Sequence, residues 1–69
     1  MTNQLVRIAR VQDATGLARS TIYALVAGRK FPAPIKVSGR ASAWVSEEVA
    51  EWVQLRIADS RRSDGAYRG

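Results

Sequence analysis

The chain has 69 residues, room for one small domain, since a chain of this size buries only about 60% of the surface exposed by its unfolded form. It carries 11 Lys and Arg against 6 Asp and Glu, a formal net charge of +5, with no Cys and no His. Disulfides, thiolate nucleophiles, imidazole bases and the usual zinc ligands go with those two residue types, so neither an enzyme nor a metal or cofactor protein is expected.

Hydrophobic residues make up 46% of the chain, but alanine supplies 11 of them, which leaves a thin core to be built from Leu, Ile, Val and a few aromatics. The charge is unevenly spread. Residues 1–45 hold Arg7, Arg10, Arg19, Arg29, Lys30, Lys36 and Arg40 against Asp13 alone, whereas residues 46–69 are close to neutral. A chain with this balance is suited to meet a polyanion through its first two thirds. No apolar run approaches the roughly 20 residues of a membrane span, and no basic stretch leads into an apolar one near the N-terminus, so a cytosolic protein without membrane contact is expected.

Leu5-Val6-Arg7-Ile8 reads as a short strand or extended lead-in. Ile8, Val11 and Ala14 or Thr15 recur at helical spacing and predict a short helix over 9–15, closed by Gly16, with Leu17 packing back onto it. Ile22, Leu25 and Val26 predict a second helix over 18–27. With Ile22 at the centre of its buried face, steps of about 100° put Ser20, Ala24 and Ala27 nearly opposite, with Arg19, Thr21 and Tyr23 at the sides. Gly28 is expected to close this helix, and Pro32 and Pro34 keep the next segment out of helix.

Ile35-Lys36-Val37 and Ala43-Trp44-Val45 flank the turn-forming Ser38-Gly39-Arg40-Ala41-Ser42, predicting a hairpin with a basic tip. Ser46 offers an N-cap, and Glu47 and Glu48 suit the first turn of a third helix. Val49, Trp52, Val53 and Ile57 carry that helix to about Ala58. The expected core comprises Val11, Ile22, Leu25, Val26, Phe31, Ile35, Val37, Trp44, Val49, Trp52 and Val53. Both tryptophans fall on predicted apolar faces, which argues against a platform for stacking single-stranded bases. The domain is expected to span residues 1–59, and residues 60–69, which lack an apolar pattern, a flexible basic tail.

Helix, glycine-bearing turn, helix and basic hairpin is the helix-turn-helix arrangement with a wing, mainly α with a small β-hairpin. The stretches Thr15-Gly16-Leu17-Ala18-Arg19-Ser20-Thr21-Ile22-Tyr23 and Gly28-Arg29-Lys30-Phe31-Pro32-Ala33-Pro34-Ile35-Lys36-Val37, with Gly39-Arg40, Trp44 and Glu51-Trp52, resemble the AlpA-like prophage regulators. Those are themselves similar to the winged-helix domains of phage excisionases and MerR-type regulators. The resemblance spans Ile8 to Ile57 and implies a DNA-binding protein of a phage or mobile element, at work in the bacterial cytosol at the nucleoid. It departs at Ala18, where such sequences often carry a Ser or Thr cap, so Ser20 or water must serve the first amides of the second helix.

On this reading Arg19, Ser20, Thr21, Tyr23, Ala24 and Ala27 face a DNA major groove, and small side chains let the helix approach closely. Arg29 and Lys30 suit phosphate contact, while Lys36, Gly39 and Arg40 form a wing that reaches a minor groove or a flanking phosphate. Tyr23 has a second reading, packing at the core edge, and Arg7 and Arg10 read as solvated cations or as backbone contacts. Glu47, Glu48 and Glu51 lack a partner nucleophile or His and do not read as catalytic.

The resemblance leaves two functions open, transcriptional regulator and excisionase, the second a recombination directionality factor that bends attachment-site DNA and directs a phage integrase. A protein-interaction adaptor is an alternative of another class, although an adaptor needs no such gathering of cations. Since a lone small domain makes few base contacts, further copies of the chain are expected on the DNA, by dimerisation or cooperative binding.

Overall fold

A computed structural model describes residues 4–63. The elements run β1 (Leu5–Val6), α1 (Ile8–Thr15), α2 (Arg19–Ala27), β2 (Ile35–Ser38), β3 (Ala41–Val45) and α3 (Ser46–Ser63). The strands form one antiparallel sheet in the order β1-β3-β2, so the last strand in sequence is the central one. Three helices with a small hairpin after the second make a mainly helical winged helix-turn-helix fold.

The turn between α1 and α2 is set locally. Gly16 takes φ +74°, a conformation that costs side-chain-bearing residues, and its N–H donates to the Gln12 carbonyl at 2.7 Å. The Thr15 hydroxyl donates to the Val11 carbonyl at 2.8 Å and accepts the Leu17 N–H at 3.2 Å. Leu17 is thereby turned back to pack against the core.

That core is Val11, Ile22, Phe31, Trp44 and Val49, one residue each from α1, α2, the segment after it, β3 and α3, with Val6, Ile8, Leu17, Leu25, Val26 and Trp52 packed around it. Trp44, Ile22 and Val11 are wholly buried. Phe31 meets the Trp52 ring edge-on, with centroids 4.8 Å apart. The indole N–H of Trp44 donates to the Pro32 carbonyl at 2.9 Å, and that of Trp52 to the Lys30 carbonyl at 2.8 Å. The segment between α2 and the hairpin is therefore pinned at two carbonyls on either side of its buried phenylalanine.

The hairpin differs from expectation at its tip and in its burial. Its strands continue to Ser38 and resume at Ala41, leaving only Gly39 and Arg40 as the loop. Gly39 adopts φ +46°, which is what hairpin loops this short ask of glycine. The register shifts between Lys36 and Ser38, so Val37 is an extra residue on its strand, a β-bulge. Ile35 and Val37, expected in the core, are 44% and 49% exposed. The reason is topological: β2 is an edge strand packed on β3, whereas α1 and α3 both reach β3 itself.

The third helix also departs from its predicted end. It continues through Ser63 instead of stopping near Ala58, since no Gly or Pro interrupts Asp59-Ser60-Arg61-Arg62-Ser63 and Arg61 and Arg62 complement the dipole in its last turn. Its start is tied to the sheet, where the Ser46 N–H donates to the Gln4 carbonyl at 2.7 Å. Ile57, expected on the buried stripe, is 39% exposed because the helix has left the core by that point. Of the expected tail, residues 60–63 are helical and the remainder lies outside the described residues.

The indole clamp has a measurable consequence. Trp44→Phe removes the donor and leaves the Pro32 carbonyl without its partner; a loss of about 1–3 kcal/mol in unfolding free energy is expected from denaturant titration. A variant as stable as the parent would show that the bond to Pro32 contributes nothing.

Candidate nucleic-acid interface

The second helix presents two different faces. Ile22 is fully buried and Leu25 and Val26 half-buried, while Arg19, Ser20, Thr21, Tyr23, Ala24 and Ala27 are all exposed. The exposed side is small over Ser20, Ala24 and Ala27, which lets a helix backbone come close to a partner surface, and polar at its flanks. Arg19 and Tyr23 stand one turn apart, with the guanidinium carbon 5.9 Å from the ring centroid. Tyr23 also meets Trp44, with ring centroids 5.9 Å apart and planes tilted by 57°. At 41% exposed, Tyr23 leans its ring on the core edge while part of it remains at the surface.

The N-terminus of this helix is open. Its cap position is Ala18, which has no side-chain acceptor, and the first turn holds no acidic residue. The first intrahelical bond is that of the Ile22 N–H to the Ala18 carbonyl at 3.1 Å, so the amides of Arg19, Ser20 and Thr21 precede the ladder. The first helix starts in the same way, with Arg7 at its cap and no acidic residue in its first turn. Helix starts of this kind attract anions, since backbone N–H groups and the positive end of the dipole point outward together. The third helix is the opposite case, with Glu47 and Glu48 in its first turn.

At its other end α2 stops in an unusual way. The Lys30 N–H reaches the Leu25 carbonyl at 2.8 Å and the Arg29 N–H the Val26 carbonyl at 3.0 Å, the pair of bonds of a Schellman termination. In that motif the left-handed residue is commonly glycine. Here Gly28 sits one position too early, at φ −87°, and Arg29 takes φ +61°. Arginine in this region costs about 1–2 kcal/mol relative to right-handed backbone. Sequence reasoning placed the helix stop at Gly28 and missed this strain, because a Gly-Arg pair does not reveal which residue reverses the chain.

The hairpin carries the remaining candidates. Lys36 lies opposite Ser42 on the edge strand, and Gly39 and Arg40 form the two-residue tip. Arg7, Arg10, Arg19, Arg29, Lys30, Lys36 and Arg40 are all exposed, and among the described residues the ion pair formed joins Arg62 and Asp59, at 3.6 Å, on α3. The seven cations of the first two thirds therefore face solvent, and no carboxylate among the described residues pairs with them. Within the described residues no group of three or more His, Cys, Asp or Glu is placed to hold a metal ion, and no helix is long and apolar enough to cross a membrane.

Residues 4–57 match the protein family described as prophage CP4-57 regulatory protein (AlpA). The chain is also 37% identical over 59 residues to a protein of Enterobacteria phage P4 described as uncharacterized protein ORF88, an alignment covering 86% of this chain and 67% of that one. No solved structure gives a significant match.

The strained termination yields a direct test. Arg29→Gly relieves the left-handed backbone without removing any of the bonds that end α2, and is expected to raise stability by about 1 kcal/mol in denaturant titration. A destabilised variant would mean that the Arg29 side chain supports the fold itself.

Proposed function

The chain belongs to the AlpA family of prophage regulatory proteins, and from that membership we propose that it is a sequence-specific double-stranded DNA-binding protein acting as a transcriptional regulator. The observation that carries the reading is the exposed face of α2: Arg19, Ser20, Thr21, Tyr23, Ala24 and Ala27 together, on a helix whose start is free of caps and acids. In the proposed complex this helix lies in the major groove. Arg19 forks onto a base edge or phosphate, Ser20, Thr21 and Tyr23 offer hydroxyls, and Ala24 and Ala27 permit close approach. The open amides before the ladder receive a phosphate oxygen.

Arg29 and Lys30 extend the contact along the sugar-phosphate backbone, and Lys36, Gly39 and Arg40 bring the wing against the neighbouring groove. A residue that keeps its side chain at an energetic cost to the backbone is a reasonable place to look for a binding role, and Arg29 fits that description. The charge distribution supports the same surface over an adaptor role, since a protein-docking module has no use for seven cations gathered on the helix-turn-helix and wing. More than one copy acts on each target, because one module of this size reads few base pairs.

Two mutations separate sequence reading from phosphate binding. Arg19→Ala is expected to cost about 1–3 kcal/mol in binding and to relax base preference, whereas Lys30→Ala weakens all duplexes alike and lowers the salt slope by about one. Equal effects of both, measured by fluorescence anisotropy across a salt series, would overturn this division of labour.

The target itself is open to selection from a random duplex library at about 0.15 M salt, followed by footprinting. Enrichment of a motif with repeated half-sites is the expected outcome. A motif overlapping a promoter supports the regulator, and one arrayed at an integrase attachment site supports the excisionase, which would use the same surface to bend DNA beside an integrase. Absence of any enriched motif would overturn sequence-specific binding.

A further inference from the structure

Arg19 stands at the first position of α2, exposed and without a carboxylate partner among the described residues. A long cationic side chain in that setting ordinarily samples many rotamers. Here its guanidinium carbon lies 5.9 Å from the centroid of the Tyr23 ring, one turn further along the helix. Side chains on a helix tilt toward its N-terminus, so the ring of Tyr23 leans back over the turn that carries Arg19. A guanidinium held over a ring keeps its N–H donors for another partner, whereas one forked onto a carboxylate has two of them already engaged.

The ring is itself held from below. Tyr23 meets Trp44, with centroids 5.9 Å apart, and Trp44 is wholly buried on the central strand, its indole N–H donating to the Pro32 carbonyl at 2.9 Å. A continuous run of contacts therefore joins Arg19, on the exposed face of α2, to the core and to the strand at the base of the wing. An aliphatic side chain at this position would cover Trp44 with comparable bulk, but it would give a guanidinium no negative ring face to rest on.

We infer that Tyr23 is the positioning residue for Arg19: its ring, seated on Trp44, holds the guanidinium over the exposed face of α2 before DNA is bound, so that base preference depends on the ring as well as on the arginine. The inference rests on the reading of α2 as the recognition helix, and it gives the ring a role separate from any bond that the Tyr23 hydroxyl makes. A side chain ordered in advance has less freedom left to lose at an interface. The advantage cannot exceed the strength of the contact that does the holding, which for an exposed cation over a ring corresponds to about two- to fivefold in affinity.

Two measurements test it. In the free protein, proton NMR should find the Arg19 side-chain protons shifted upfield by the ring current in the parent and in Tyr23→Phe, and at ordinary positions in Tyr23→Leu and Tyr23→Met. Leucine and methionine are good helix formers that keep apolar bulk against Trp44, and circular dichroism shows that each variant folds. On DNA, the readout is the ratio of the Kd values of duplexes altered at one base pair to that of the duplex enriched from the random library. Tyr23→Phe is expected to bind more weakly through loss of its hydroxyl, yet Arg19→Ala should lower the ratio by the same factor in that background as in the parent. In the Tyr23→Leu and Tyr23→Met backgrounds the effect of Arg19→Ala should be about two- to fivefold smaller. Arg19 protons at ordinary positions in the parent, or an effect of Arg19→Ala as large without the ring as with it, overturns the positioning role and leaves DNA recognition by α2 standing. A parent that shows no preference among duplexes, or keeps its preference in Arg19→Ala, overturns recognition through Arg19 and the positioning role with it.

Discussion

The join between α2 and the hairpin is held by two indole N–H groups. The segment joining α2 to the hairpin cannot satisfy its own backbone, since Pro32 and Pro34 keep it out of helix and it lies outside the sheet. Trp52 takes the Lys30 carbonyl and Trp44 the Pro32 carbonyl, and Phe31 between them is buried against Trp52. The end of α2 and the start of the wing are thus fixed from α3 and from the central strand, and the angle between helix and hairpin follows from a few aromatic contacts. In a core whose other members are Val11, Ile22 and Val49, these rings supply the largest share of buried area.

The stabilising and the destabilising features are separated in space. Around Gly16 every local choice agrees: a left-handed glycine, the Thr15 hydroxyl making two bonds, and Leu17 turned inward. On α2 the choices conflict with helix stability, with an alanine at the cap, no acid in the first turn and an arginine at the left-handed stop. Natural sequences are locally consistent except where function intervenes, and the two ends of α2 depart from the rules where the proposed DNA contacts lie. Caps and acids would stabilise the helix but occupy or repel what a phosphate needs.

The same logic divides the charges. Before α3, seven cations lie on α1 and its cap, α2, the loop and the wing against Asp13 alone, whereas Glu47, Glu48 and Glu51 gather at the start of α3, where they complement a dipole. The third helix then does two things in sequence. Its first half supplies Val49 and Trp52 to the core and to the clamp, and its second half continues into solvent with a leucine and three arginines.

The amino-acid sequence by itself determined the order of elements, the buried stripe of Ile22, Leu25 and Val26, the glycine turn at Gly16 and the outward set on α2, because helical periodicity and backbone chemistry act over a few residues. It also determined the asymmetry of charge. Only the tertiary structure decided which apolar residues find cover: Ile35 and Val37 alternate like core residues, yet lie on an edge strand, while Ile57 keeps the helical stripe after the helix has passed the domain. It likewise decided that Arg29 and not Gly28 reverses the chain, and that both tryptophans hold a loop by their N–H groups as well as filling space. Those outcomes depend on which elements meet, and partners brought together from distant parts of the chain leave no mark on local spacing.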